Sequence, residues 1–154
     1  MDNDYPQIAL IGNPNSGKTA LFNALTGLNH KVSNYPGVTV ERRVGKAKVN
    51  GVEVKIIDLP GTYSLIPESQ DEAIVVNEID RWLGNHKRPE CVISVIDSTN
   101  LKRNLYLTTQ LLDLGIPVLI ALNMTDLARK KSMNIDAALL KNQLGCAAIV
   151  HISA

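Results

Sequence analysis

The stretch GNPNSGKT, Gly12 to Thr19, constrains the fold more than any other part of the sequence. It fits G-x-x-x-x-G-K-[ST], with Gly12, Gly17, Lys18 and Thr19 at the fixed positions. In such a loop the backbone N–H groups turn inward toward phosphate oxygens, Lys18 adds a positive charge, and the Thr19 hydroxyl can ligate Mg²⁺. Gly12, Asn13, Pro14, Asn15, Ser16, Gly17, Lys18, Thr19 and Ala20 are therefore the candidate phosphate cradle. The apolar run Ile8–Ile11 before it predicts a buried strand, and Thr19–Leu25 after it predicts a helix whose N-terminus favours anions.

A loop of this kind needs a sheet to carry it. The 154 residues, 45% of them hydrophobic, suffice for one domain with a real core. Net charge is +1 with acids and bases interspersed, so nothing points to nucleic acid as an electrostatic partner. Cys91 sits in an apolar run and Cys146 follows a helix-stop glycine; both read as buried, reduced thiols rather than a disulfide framework. The acidic N-terminus Met1–Asp4 lacks the features of a signal peptide, and no apolar run approaches the ~20 residues that span a bilayer, so the piece is expected to be soluble.

Beyond the first helix, Leu28–Glu41 has no helical period and carries Asn34, Pro36 and Gly37, which predicts a mobile loop. Lys46–Val49 and Val52–Ile56 alternate apolar with charged residues around Asn50-Gly51, a hairpin signal. Ser69 to Glu72 forms a capping box, followed by Ile74, Val75, Ile79, Trp82 and Leu83 at helical spacing up to Gly84, with Trp82 as core. Strand Val92–Ile96, helix Leu101–Leu114, strand Val118–Leu122, a helix capped by Asp136 and closed at Gly145, and strand Ala147–Ile152 complete the chain. The pattern predicts an α/β domain. Its mostly parallel sheet has six strands and one antiparallel edge hairpin, with ligands at the carboxyl ends of the strands.

Further motifs then fall in a fixed order. Asp58-Leu59-Pro60-Gly61 has the form D-x-x-G, in which the strand-end acid holds Mg²⁺ and the glycine N–H meets a γ-phosphate. Thr39, with Gly37 and Val38 in the loop before the hairpin, is placed to close over Mg²⁺ and that phosphate. Asn123-Met124-Thr125-Asp126 fits N-x-x-D; the Asp126 carboxylate can accept from the guanine N1–H and exocyclic amine, which selects GTP or GDP over adenine nucleotides. Met124 stands where lysine is usual, and its thioether can pack along the base instead. Ser153-Ala154 resembles the S-A element that contacts guanine. Together these motifs, in this order, resemble the Ras-like P-loop GTPases.

NYPGVTVE, DLPGTYSL, DSTNLKRNLYLTTQLLDLGIPV, ALNMTD and LGCAAIVHISA narrow the resemblance to the amino-terminal G domains of the bacterial ferrous-iron transport protein B family. That resemblance implies a GTPase facing the cytoplasm at the bacterial inner membrane, whose switch loops gate Fe²⁺ uptake. It implies that residues 1–154 are a G domain cut within its last guanine-binding motif. The last Ras-like helix, a helical regulatory domain and a polytopic membrane domain then lie outside the sequence, and homo-oligomers remain open. Thr62 stands where Ras-type enzymes place a glutamine, so hydrolysis is expected to be slow, with Thr39, Gly61 and Thr62 acting through backbone or metal contacts. The family resembles potassium-activated GTPases in which an asparagine at the position of Asn15 holds K⁺; a turn residue tolerating left-handed geometry is the plainer reading of Asn15. Arg42 and Arg43 read as solvated residues. His30, His86 and His151 read as surface or loop residues, too far apart for an iron site. A soluble ribosome- or tRNA-associated GTPase and a non-hydrolysing binding module are the alternatives.

Overall fold

The computed structural model describes residues 5–27, 29–85 and 87–154; Met1–Asp4, Leu28 and His86 lie outside the described residues. The elements run β1 (Gln7–Gly12), α1 (Lys18–Thr26), β2 (His30–Asn34), β3 (Glu41–Val49), β4 (Val52–Asp58), α2 (Gln70–Asn85), β5 (Cys91–Asp97), α3 (Leu101–Asp113), β6 (Val118–Asn123), α4 (Thr125–Lys130), α5 (Ala137–Leu144) and β7 (Ala148–His151), with a 3₁₀ turn at Ser98–Asn100. They form a seven-stranded sheet in the order β2-β3-β4-β1-β5-β6-β7. β1 pairs in parallel with β4 and β5, and β5, β6 and β7 continue in parallel. Only β2–β3 and β3–β4 are antiparallel. β2–β4 lie on one side of β1 and β5–β7 on the other, which makes the end of β1 the point where strand order reverses and a ligand crevice opens.

Alternation along the strands sets the two faces. Ala9 and Ile11 of β1 join Ile57, Ile96, Ile120 and Leu122 under Val75, Ile79 and Trp82 of α2 and Leu107 and Leu111 of α3. Leu10 points the other way, with Val54 and Ile56, onto Phe22 of α1. Trp82 is core, as its spacing implied, and truncating it to alanine would cost about 3–5 kcal/mol. The two helices and the cover of apolar residues hold the strand ends in register, and it is those ends that carry the motifs.

The six expected strands are present, and the seventh is a correction. Leu28–Glu41 was expected to be a loop throughout, yet His30–Asn34 forms β2, registered Val32 to Arg43 and Asn34 to Glu41. Its sequence HKVSN carries no apolar stripe because the strand is an edge, exposed at Lys31 through Asn34 and held by ladder hydrogen bonds. His30 is accordingly a strand residue, its ring edge-on to Phe22 at 5.2 Å, rather than a loop residue. Cys91 is only partly buried, whereas Cys146 is buried. Helix α4, six residues long, is too short to leave a helical period in sequence.

Candidate functional site

The parallel strands deliver Gly12, Asp58, Asp97, Asn123 and His151 to one edge of the sheet. Between Gly12 and α1 the chain makes a tight loop in which Ser16 N–H donates to the Asn13 carbonyl at 3.2 Å. Asn15 (φ 62°) and Gly17 (φ 92°) both adopt the left-handed conformation. At Gly17 this is combined with close approach, since a Cβ there would lie 2.0 Å from Asn123 Nδ2. Among the described residues no side chain caps α1, so its first-turn N–H groups are left to a ligand. Inside the loop, Asn13 and Ser16 are buried and their side-chain polar atoms have no hydrogen-bond partner among the described residues. A buried polar set of this kind suits a polyanion or ordered water.

At one end of the loop, Lys18, Thr19, Thr39, Asp58 and Gly61 line a cleft of about 400 Å³ together with Arg43, Gln70 and Asp71. The Lys18 ammonium pairs with the Asp58 carboxylate, both buried. Thr19 and Thr39 are exposed to the cleft. The set of two hydroxyls and one carboxylate is hard and all-oxygen, and it is too small to saturate a cation without phosphate oxygens and water, which is how Mg²⁺ is usually held. No group of three His, Cys, Asp or Glu residues able to hold a metal occurs among the described residues. Gly61 lies against Pro14, where a Cβ would meet its backbone at 3.1 Å, so the D-x-x-G loop rests directly on the phosphate loop. Arg43, read from sequence as solvated, does line this cleft, but its guanidinium is engaged by Glu41 at 2.8 Å.

The loop that carries Thr39 is closed on itself: Tyr35 N–H donates to the Val40 carbonyl at 2.9 Å and Val38 N–H to the Tyr35 carbonyl at 3.3 Å. Gly37 (φ 77°) turns the chain between them. The Tyr35 ring is buried, and that burial, with the Glu78 charge adding to it, pushes its phenol up to about 12.

At the other end, Asn123 is fully buried and bridges two loops: its Nδ2 donates to the Ser16 carbonyl at 3.0 Å, and its Oδ1 accepts from Ala154 N–H at 2.9 Å. Ser153 Oγ donates to Asp126 Oδ1 at 3.0 Å, and Thr125 Oγ1 donates to the Ile152 carbonyl at 3.2 Å. The Ser153 hydroxyl, followed by the Leu127 N–H, holds the Asp126 carboxyl below the usual carboxylate range, so it stays an acceptor. Met124 adopts φ 59° at the start of α4, a left-handed position that the motif alone did not reveal. Asn123, Asp126, Ser153 and Ala154 thus meet as the sequence implied, and Asn15 stands exposed at the loop's tip.

Glu72 carries more than its capping box implied. Ser69 Oγ accepts from Glu72 N–H at 3.2 Å, as expected, but the buried Glu72 carboxylate also accepts from the N–H groups of Glu68 at 2.7 Å and Tyr63 at 3.3 Å. The Glu68 N–H foremost, against the opposing effect of burial, holds this carboxyl below its ordinary range. The only signal in the sequence was a Glu at the third helical position, which reads as a cap and nothing further.

The family profile described as ferrous iron transport protein B matches residues 6–154. The Fe(2+) transporter FeoB of Salmonella typhimurium is 47% identical over 150 residues, covering 95% of this chain and 19% of the relative. The Fe(2+) transporter FeoB of Escherichia coli K12 gives the same identity and coverage, 47%, 95% and 19%. The chain therefore spans only 19% of the length of these curated relatives. Among solved structures, an S. thermophilus NFeoB mutant bound to mGDP is similar at 48% identity and TM-score 0.87, covering 97% of this chain and 55% of that one. The G domain of the T. maritima FeoB iron transporter is similar at 41% identity and TM-score 0.84, covering 96% and 87%.

Proposed function

This chain belongs to the ferrous iron transport protein B family, and from that premise we propose that it is a G domain that binds GTP and GDP with Mg²⁺, hydrolyses GTP slowly with K⁺ as activator, and gates Fe²⁺ uptake as the cytosolic head of a membrane transporter. The observation that carries the nucleotide reading is Asn123, whose one amide ties the phosphate loop through Ser16 to the Ser153-Ala154 loop beside Asp126. That bridge builds phosphate cradle and base pocket into a single site. Asp126, kept ionised, accepts from the N1–H and amine edge that guanine presents and adenine lacks.

At the phosphate end, the free amides of α1 and the Lys18 ammonium meet the β- and γ-phosphates. Thr19, Thr39 and Asp58, the last once its carboxylate is released from Lys18, would hold Mg²⁺, which would neutralise charge on those phosphates. Gly61 and Thr39 bring their segments to the γ-phosphate, so loss of that phosphate releases both loops. Slow hydrolysis is supported by Thr62, which is fully buried with its hydroxyl donated to the Ser64 carbonyl at 2.8 Å, so no side chain there orients a water. Asn15 fits the K⁺ role by its place, exposed at the tip of the cradle. Regulation rather than iron carriage fits the thiols, since Cys146 is buried and burial raises Cys91. No described helix is long and apolar enough to cross a membrane. Gating would act through helical and membrane domains outside residues 1–154, in keeping with the 19% of its relatives' length that the chain spans.

Fluorescent-GDP displacement and phosphate release test the reading. GDP displaces the probe and ADP does not; equal displacement by both would overturn guanine selection. Turnover is faster in KCl than in NaCl, and Asn15→Ala loses the difference; equal rates in the wild type would remove K⁺ from the scheme.

A further inference from the structure

Helix α3 takes no part in the site described above, yet it touches the segment after Gly61 twice. Gln110 Oε1 accepts from Leu65 N–H at 2.9 Å. The Arg103 guanidinium lies 4.3 Å from the centroid of the Tyr63 ring. The two side chains are two helical turns apart, hence on one face of α3. The helix itself is fixed from beneath. Leu107 and Leu111 are core, Ser94 and Thr108 share a buried hydrogen bond of 2.7 Å, and Asn104 accepts from Asp97 N–H at 3.2 Å while donating to the Asn100 carbonyl at 2.9 Å. A helix so held is an anchor for the loop.

What the anchored loop does with Thr62 gives the contacts their meaning. Thr62 N–H donates to the Gly12 carbonyl at 3.0 Å. An amide given to Gly12 cannot also serve a water or a phosphate oxygen in the cleft, and the residues just after it, Tyr63 and Leu65, are the ones α3 holds in place.

We propose that Arg103 and Gln110 are positioning residues that keep the post-Gly61 segment in a slow arrangement, with the Thr62 amide withheld from the reacting phosphate. This rests on the GTPase reading and adds a brake to it. Each contact is of the size of one exposed cation–π pair or one hydrogen bond, so losing either shifts the loop's equilibrium about threefold to tenfold.

The test uses the full chain with Arg103→Ala and Gln110→Ala, and with Arg103→Lys and Gln110→Glu, which keep a cation and an acceptor oxygen. Single-turnover GTP cleavage, hydrogen exchange of residues 62–68 and thermal melting are read on each. Both alanine variants cleave GTP about threefold to tenfold faster and exchange those amides faster, although their melting temperatures do not rise; the conservative variants stay near wild type. Damage to the fold would lower cleavage instead. Cleavage that falls or stays constant in both alanine variants, while the loop exchanges faster, overturns the brake. If the wild type cleaves no GTP, the GTPase reading fails by itself, and unchanged exchange of residues 62–68 in both variants then overturns the latch.

Discussion

Asn123, at the base end of the cleft, is fully buried and held on two sides by Ser16 and Ala154, whereas Thr39, at the phosphate end, stands exposed beyond the turn at Gly37. The base end is made from the last residues of parallel strands. Asp97 and Asn123 are register partners, as are Leu122 and His151, so moving one loop would break the ladder behind it. At the phosphate end the chain leaves the sheet. The segment from Thr62 to Glu68 is held by side chains reaching from α2 and α3, namely Glu72, Gln110 and Arg103. On the proposed function, recognition belongs to the frame and response to loops tied down by a few removable contacts worth about 1 kcal/mol each.

The same substitution made against Asn123 and in the Thr39 loop exposes the contrast most sharply. Gly17 and Gly37 both have positive φ, 92° and 77°, and alanine at either incurs left-handed strain of about 1–2 kcal/mol. A Cβ at Gly37 meets nothing within 4 Å, but at Gly17 it drives into Asn123 Nδ2 and disturbs both bonds of that amide. Gly17→Ala should therefore lose about 3–5 kcal/mol of stability and at least about a hundredfold in GDP affinity. Gly37→Ala should lose only the strain and leave GDP affinity near wild type. Denaturant titration and GDP binding measure both; comparable affinity losses would erase the distinction.

A smaller effect separates the loop ties from the frame by pH. The Glu72 carboxyl is held below its ordinary range, chiefly by the Glu68 N–H. Its contribution is therefore present above the unfolded carboxylate value of about 4.3 and is lost as pH falls through the depressed folded value. Glu72→Gln should cost about 1 kcal/mol at neutral pH and remove that acid-dependent part, so that wild-type and variant melting temperatures converge as pH falls toward 3, the strongly acid end. Melting curves from neutral pH downward check this. A constant gap would show that the carboxylate does not tie the loop through its charge.

The same contrast explains what was legible in the sequence. Lys18, Asp58, Asn123 and Asp126 follow strands whose apolar runs fix their ends, so motif and periodicity together placed them. β2 escaped because HKVSN is an edge strand with no buried stripe, and its pairing with β3 is a tertiary fact. Glu72, Arg103 and Gln110 escaped for a related reason. Each sits on a helix whose periodicity reports only the core face, while its partner is a backbone N–H or a ring supplied by a loop distant in sequence. The turn reading of Asn15 allowed its left-handed backbone, whereas Met124 was read for chemistry alone and its left-handed backbone shows only in the fold.

The most direct test of a rigid base end joined to a responsive phosphate end is hydrogen exchange of the Mg²⁺-loaded protein with GDP and with a non-hydrolysable GTP analogue. The expected difference between the two nucleotides is confined to residues 35–41 and 61–68, with residues 123–126 and 152–154 equally protected in both. A difference as large at Asn123–Asp126 as at Thr39 and Gly61 would contradict it.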